Sequence, residues 1–361
     1  MTTATPKFHR LVVSDLTHET KDAVSVAFAV PPELARDYAF SPGQYLTLRT
    51  TLEGEDVRRS YSICSGPDDG ELRVAVKQVD SGLFSTWINH NVAIGDTIDV
   101  MTPTGRFGLQ HNPGDGRIHV GFAAGSGITP ILSIIRGVLA GEPNSRFMLF
   151  YGNRSTADIL FREALEELKD RFLERLSVFH VLSREEQDVP ILTGHLDAEK
   201  ITRLLTVMVP ASKVSQFFIC GPTGMIDDAE ATLRGLGVDP DKIHTERFVS
   251  AFDGKPRAKP VTVAADAPAT AHATVIVDGK RREVPIAAGE AVLDAALRAG
   301  MDLPFACKGG MCSTCRAKIV EGEVAMAVNY SLEPWELKAG FVLTCQSHPT
   351  SAHLVVDFDQ M

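Results

Sequence analysis

Three cysteines stand at Cys307, Cys312 and Cys315 in the stretch "CKGGMCSTC", and a fourth, Cys345, follows in "LTCQS". A C-x4-C-x2-C run with one distant partner is the spacing in which a tight loop wraps a two-iron, two-sulfide rhomb and a remote thiolate closes it. Gly309 and Gly310 suit such a loop, because backbone amides must come close to sulfide and the chain must turn where a Cβ would obstruct it. Two other chemistries compete for these thiols. A zinc site built from four cysteines normally shows two close pairs, and Cys345 has no near neighbour of its own kind. Disulfides belong to an oxidising compartment, which this cysteine distribution does not suggest. The pattern favours an iron–sulfur cluster and single-electron transfer. Cys64 and Cys220 lie outside the set, and each alone reads as a small buried hydrophobe.

Other stretches carry the residue types that hold flat rings and phosphates. "RRSYSICS" combines a guanidinium for a phosphate, an aromatic to stack on a ring and a hydroxyl for a ring nitrogen, although an ordinary strand with an edge arginine reads the same way. "GLFSTWI" places Gly82 and Ser85 at the start of a helix, where a pyrophosphate would sit. "AAGSGITP" sets Gly125 and Gly127 in a turn from strand to helix. It is not the full dinucleotide fingerprint, since Pro130 replaces the third glycine. "YGNRS" and "LSRE" end two later strands, so Arg154, Ser183 and Arg184 are candidates for a ribose 2'-phosphate, which favours NADPH over NADH; exposed arginines are more often only solvated. "CGPTGM" brings Gly221 and Pro222 to the same rim.

The elements that must position these residues change character along the 361-residue chain, a length that suggests two or three domains. Up to about residue 110, strand signals recur at short spacing, as in "LRVAVKQV" between the turns "PDDG" and "PTGRFG", which predicts an antiparallel β-barrel over 1–112. Residues 113–249 alternate strand and helix. "IHVGFAA", "FMLFYG", "LSVFHVLS" and "QFFIC" read as strands and "DILFREALEELKDRF" and "DDAEATLRGL" as helices, which predicts an α/β parallel sheet covered on both faces. "DGKPRAKPVTVAADAPATAHA" has no periodicity and predicts a linker over 250–271. Residues 272–361 then read as a small α+β domain, with "ATVIVDGKRREVPI" a hairpin, "AVLDAALRAG" a helix and "HLVVDFD" a closing strand around the cysteine loop.

The totals exclude several classes. A formal charge of -10 argues against nucleic acid as a partner. The most apolar stretch is interrupted by Pro130 and Arg136, so no membrane span is expected, and no basic, then apolar leader opens the chain. A reducing cytoplasm is the expected location.

In order, "RSYS", "GSGITP" and "CGPTGM" resemble the ferredoxin–NADP reductase superfamily, and "CKGGMCSTC" with "LTCQS" resembles a plant-type ferredoxin fused behind it. The resemblance covers nearly the whole chain. Within the superfamily the text is most similar to reductases serving bacterial oxygenases, those of phenylacetate breakdown foremost, while steroid and aromatic-ring hydroxylase reductases share the layout. The resemblance implies a β-grasp-like third domain and FAD in the first, with Arg59, Tyr61 and Ser62 at the flavin and Gly82 and Ser85 at its pyrophosphate. Ser81 stands where relatives often carry glycine. It also implies a nicotinamide nucleotide on Gly125, Gly127, Thr129 and Pro130, Cys220 near the nicotinamide, and Glu246 and Phe248 of "HTERF" as an acidic and aromatic pair near the flavin. Tyr61, Ser62, Cys220 and Glu246 are thereby the catalytic candidates, and the four cysteines of the loop and tail the [2Fe–2S] ligands. Electrons from NADPH, or from NADH as the alternative donor, would reach a separate di-iron oxygenase. This chain has no carboxylate–histidine repeat at helical spacing to bind such irons itself. A redox sensor without turnover is the reading from another class.

Overall fold

The computed structural model describes residues 6–108, 116–248 and 268–360. In the amino-terminal part, short alternating runs form β1 (Phe8–Thr20), β2 (Ala23–Ala29), β3 (Tyr45–Leu52), β4 (Glu55–Ser62) and β5 (Leu72–Lys77). Helix α1 (Leu83–His90) and β6 (Thr97–Met101) follow. The six strands order as β4-β3-β6-β1-β2-β5, antiparallel in the β1/β2, β2/β5 and β3/β6 pairs. Ile63, just past β4, bridges Val74 on β5 and so joins the two edges into a barrel. Its interior is filled by Leu46, Leu48, Val74, Val76 and Val100.

The next part alternates as expected: β7 (Ile118–Ala124), α2 (Ile128–Gly141), β8 (Arg146–Asn153), α3 (Arg162–Arg171), β9 (Leu176–Leu182), α4 (Ala198–Val207), β10 (Gln216–Gly221), α5 (Thr223–Gly235) and β11 (Ile243–Arg247). All neighbours in the order β11-β10-β7-β8-β9 run parallel. The chain steps outward from β7 to β9 and then returns to the other side of β7. The order therefore reverses between β7 and β10, and the crevice outside their carboxyl ends is where such a sheet receives a ligand. Helices α2 and α3 pack in one apolar cluster with Ile131, Ile134 and Leu165, and α4 and α5 in another with Leu204, Ile226 and Leu233.

One expected helix is shorter than its sequence pattern. "DILFREALEELKDRF" becomes helical only at Arg162, after Ile159, Leu160 and Phe161, all three of them buried. The chain enters the core instead through a turn that sets Phe161 at φ +57°.

The carboxyl-terminal part contains β12 (Ala269–Val277), β13 (Lys280–Ala287), α6 (Val292–Arg298), β14 (Arg316–Glu321), β15 (Val324–Met326), α7 (Pro334–Lys338), β16 (Phe341–Leu343), β17 (Ser347–Pro349) and β18 (His353–Asp357). The sheet order is β13-β12-β18-β14-β16, with β12 and β18 parallel and the other pairs antiparallel. Helix α6 packs Val292, Leu293 and Ala296 into the same core as Ala273, Val275 and Val356, a β-grasp arrangement. Most of the expected linker lies outside the described residues. Its last residues are a correction: Ala269–Ala271 already belong to β12, where Ala271 and Ala273 begin the inward alternation.

The barrel and the parallel sheet fall largely in one compact unit and the β-grasp part in another. Within the first, Phe107 meets Phe218 edge-on at 6.0 Å, and Ser133 Oγ of α2 donates to the Ser65 carbonyl at 2.7 Å. Arg136, one turn further along α2, pairs with Asp69. Among the described residues no helix is long and apolar enough to cross a membrane.

The far end of α2 is fixed by Glu142, which is fully buried. Its carboxylate accepts from Ser145 Oγ at 2.7 Å, pairs with Arg117 and lies 3.1 Å from His119 Nε2, while its carbonyl accepts from Arg175 at 2.8 Å. Burial alone would push this carboxyl up, but the Ser145, Arg117 and His119 bonds outweigh it and hold it down at about 2. A depressed carboxylate stabilises the fold above its unfolded value of 4.5 and loses that contribution as pH falls toward 2. Glu142→Ala should therefore lower the stability of this unit by about 3 kcal/mol at neutral pH, the cost of breaking a buried pair. Urea titrations at pH 7 and pH 3 check this, the deficit at pH 3 being the smaller.

Candidate functional site

The crevice between β7 and β10 is closed by backbone contact rather than by side chains. A Cβ on Gly127 would lie 2.1 Å from the Cys220 carbonyl oxygen, so only glycine lets the β7–α2 turn rest against the end of β10. Gly125 sits at φ +53° and its carbonyl accepts the Tyr151 hydroxyl at 2.9 Å. Thr129 is buried and donates to the Ser126 carbonyl at 3.0 Å; Pro130 is buried in the first turn of α2. No side chain caps the start of α2, but the turn Gly125–Gly127 runs into it and takes the Ile128 amide on the Gly125 and Ser126 carbonyls, so what this end offers an anion is its positive dipole. Gly221 and Pro222 follow Cys220 on the same rim, Gly221 against Ala124.

Cys220 is fully buried, and burial followed by the Glu246 charge pushes its thiol well up. Glu246 is its register partner on β11. That carboxyl is pushed up to about 8 by desolvation, against a lowering contribution from Ser62, whose hydroxyl reaches Glu246 Oε2 at 3.3 Å. Ser62 closes β4 of the barrel, so the barrel strand and the parallel sheet meet here. Tyr61 is partly buried with its ring 5.8 Å from Phe84 of α1, and Phe248, just past β11, packs at the margin of the α2 core. Arg59 is exposed and donates to the Arg58 carbonyl at 2.7 Å.

Gly82 caps α1, and a Cβ there would come within 2.5 Å of Ser85 Oγ. Ser85 Oγ accepts from the Val79 amide at 3.1 Å and donates to the Gly82 carbonyl at 3.1 Å. Ser81 adopts φ +59°, the conformation that a glycine takes without strain. Arg154 and Arg184 are both exposed, on adjacent strand ends joined by the Arg184 N–H to the Arg154 carbonyl at 2.8 Å, and Ser183 donates to Asn153 beside them. Sequence reasoning missed Glu185, whose carboxylate accepts from the Thr156 amide and hydroxyl, both at 2.7 Å, on this same rim. It also missed Tyr151, an aromatic in an apolar strand whose hydroxyl gives no sequence signal.

The cysteine loop folds as two pairs. Cys307 associates with Cys312, and Cys315 with Cys345. In each pair one sulfur is favoured as thiolate by its partner's thiol: Cys307, with further help from backbone amides, and Cys345. The Gly309 amide donates to Cys307 Sγ at 3.3 Å and the Cys307 amide to Cys312 Sγ at 3.4 Å. Coupled sulfurs with amides aimed at them have the chemistry of thiolate ligands to a metal or cluster. The steric expectation for the glycines holds at Gly310, at φ +77° with Val328 3.0 Å from where a Cβ would be. At Gly309 a Cβ would meet nothing closer than 3.6 Å among protein atoms.

Comparison with known proteins agrees with this division. Residues 10–109 match an oxidoreductase FAD-binding domain, 122–231 an oxidoreductase NAD-binding domain and 275–350 a 2Fe-2S iron-sulfur cluster binding domain. The chain is 45% identical over 98% of its length, and of the relative's, to one of the subunits of 1,2-phenylacetyl-CoA epoxidase of Escherichia coli. It is 33% identical over 96% of each chain to the ferredoxin reductase component of 3-ketosteroid-9-alpha-monooxygenase of Rhodococcus rhodochrous. Phthalate dioxygenase reductase has the same fold, with a TM-score of 0.60 over 97% of this chain and 98% of that one at 24% identity.

The Glu246 carboxyl yields a pH prediction. A carboxyl raised by burial supports the fold fully below its unfolded value of 4.5, and that support is lost as pH rises through about 8. Glu246→Gln should therefore remove a loss of roughly 1–2 kcal/mol between pH 5 and pH 8, after allowance for its partial contact with water. Denaturant titrations of both proteins across this range measure it; parallel curves would contradict the raised carboxyl.

Proposed function

The chain belongs to the ferredoxin–NADP reductase superfamily with a C-terminal [2Fe–2S] domain, and from that premise we propose that it delivers electrons from NADPH to a separate di-iron oxygenase that epoxidises phenylacetyl-CoA. It is an oxidoreductase that uses FAD, NAD(P)H and a [2Fe–2S] cluster. The observation that carries the acceptor assignment is the 45% identity, over nearly the full length of both chains, to a component of the Escherichia coli epoxidase. When bound, the flavin supplies the conversion of a two-electron hydride into single electrons that the cluster can carry.

The residues of this chain then have distinct tasks. The uncapped start of α2, with Gly125, Gly127, Thr129 and Pro130 shaping it and Gly221 and Pro222 facing it, receives the nucleotide phosphates. Tyr61 offers its ring to the flavin, Ser62 its hydroxyl, and Arg59 a guanidinium to the flavin phosphates, while Gly82 and Ser85 shape the α1 turn beside them. Glu246, largely uncharged at neutral pH, keeps a fixed negative charge away from the place where hydride moves, and Cys220 and Phe248 line that place. Cys307, Cys312, Cys315 and Cys345 hold the cluster, which a reducing cytoplasm keeps supplied with free thiols.

Cys312→Ala should leave the flavin reducible by NADPH while abolishing electron delivery to the oxygenase. Stopped-flow flavin bleaching and epoxidation assayed with added oxygenase separate the two steps; full delivery by the variant would overturn the ligand assignment. The nucleotide choice has a second reading, because the Glu185 carboxylate fixed by Thr156 lies next to Arg184 and would oppose a 2'-phosphate in favour of NADH. Arg184→Ala should raise KM for NADPH about tenfold, as loss of one charge-assisted phosphate bond implies, and leave KM for NADH nearly unchanged. Equal effects on both nucleotides would favour NADH.

A further inference from the structure

Gln346 follows the fourth cysteine and is only 9% exposed, an unusual degree of burial for a glutamine. Its Nε2 donates to the Lys308 carbonyl at 3.0 Å and to the Cys345 carbonyl at 3.0 Å, and lies 3.7 Å from Cys345 Sγ. Lys308 and Gly310 are the two left-handed residues of the first turn in the cysteine loop, at φ +48° and +77°. Gln346 packs on that turn closely enough that a Cβ on Gly310 would meet its Cγ at 3.3 Å. Two residues earlier, Thr344 treats the other end of the loop in the same way. Its hydroxyl donates to the Cys315 carbonyl at 2.8 Å and its amide to the same oxygen at 3.2 Å. The short turn Thr344–Gln346 thus fastens both ends of a loop that carries three of the four cysteines.

We propose, on the reading that these cysteines hold a [2Fe–2S] cluster, that Gln346 is a positioning residue that locks the Cys307–Gly310 turn against Cys345 and raises the reduction potential of the cluster. Reduction adds one electron, taken from the reduced flavin, and converts one ferric iron to ferrous with no bond to protein made or broken. The added negative charge spreads onto the ligand sulfurs, and the positive end of the Gln346 amide, its two N–H bonds spent on the Lys308 and Cys345 carbonyls, lies 3.7 Å from Cys345 Sγ and stabilises the reduced form more than the oxidised one.

The test is a reductive titration of the full chain, followed by visible absorption and electron paramagnetic resonance, for wild type, Gln346→Met and Gln346→Glu. Methionine fills similar space without an N–H, and glutamate keeps the branched end but offers only oxygens. In each variant the equilibrium constant for cluster reduction should fall about tenfold, which is ~59 mV for a one-electron couple. A wild-type potential in either variant that holds its cluster overturns the proposal. Loss of iron and labile sulfide from both variants, with flavin content intact, supports the locking role. Absence of iron and sulfide from the wild-type chain would overturn the cluster reading and the proposal with it, and is told apart because it needs no substitution.

Discussion

Four sulfurs must be turned toward one place by a nine-residue loop and a turn thirty positions further on, and the β-grasp part is built around that demand. The loop accepts three left-handed residues, Lys308, Gly310 and Ser313, two of them with side chains that make the conformation unfavourable. What offsets this strain is a set of fixed partners. Amides of Cys307 and Gly309 point at sulfur, and the Thr344–Gln346 turn ties the loop carbonyls. Directly after Cys315, Arg316 forms a buried pair with Glu336 at 2.8 Å and lies over the Phe341 ring, so β14 cannot shift without disturbing α7.

The other unit meets a different constraint, the close approach of backbone to backbone. Glycine at 127 lets the β7–α2 turn touch the end of β10, and that contact sets the distance between this turn and Cys220, Glu246 and Ser62. Helix α2 carries this geometry through the molecule. It begins at this turn, is fastened to the barrel at Ser133 and Arg136, and ends on the Glu142 network. The candidate nucleotide turn and the barrel are thus joined through one helix.

Much of this was legible in the sequence because the deciding signals are local. Cysteine spacing, strand-length apolar runs and glycines at strand ends each depend on neighbours a few residues apart. Four of the five strands of the parallel sheet follow from hydrophobic period, down to the limits of β7, whereas β11, mostly polar, and α4 were not read from it. The misreadings arise where burial overrides period or where partners are distant in sequence. Ile159–Phe161 looked helical because their apolar character fits a helix start, yet all three enter the core. Gln346 and Glu185 carry no pattern, since the hydrogen bonds that define them join residues 38 and 29 positions apart.

The proposed function depends throughout on thiolates that share a pair of irons and receive electrons from a flavin on the same chain. The most direct measurement is the iron, acid-labile sulfide and FAD content of anaerobically purified protein. About two irons and two sulfides per flavin, as a [2Fe–2S] centre requires, is the predicted result. A yellow protein with one zinc and no sulfide would contradict it.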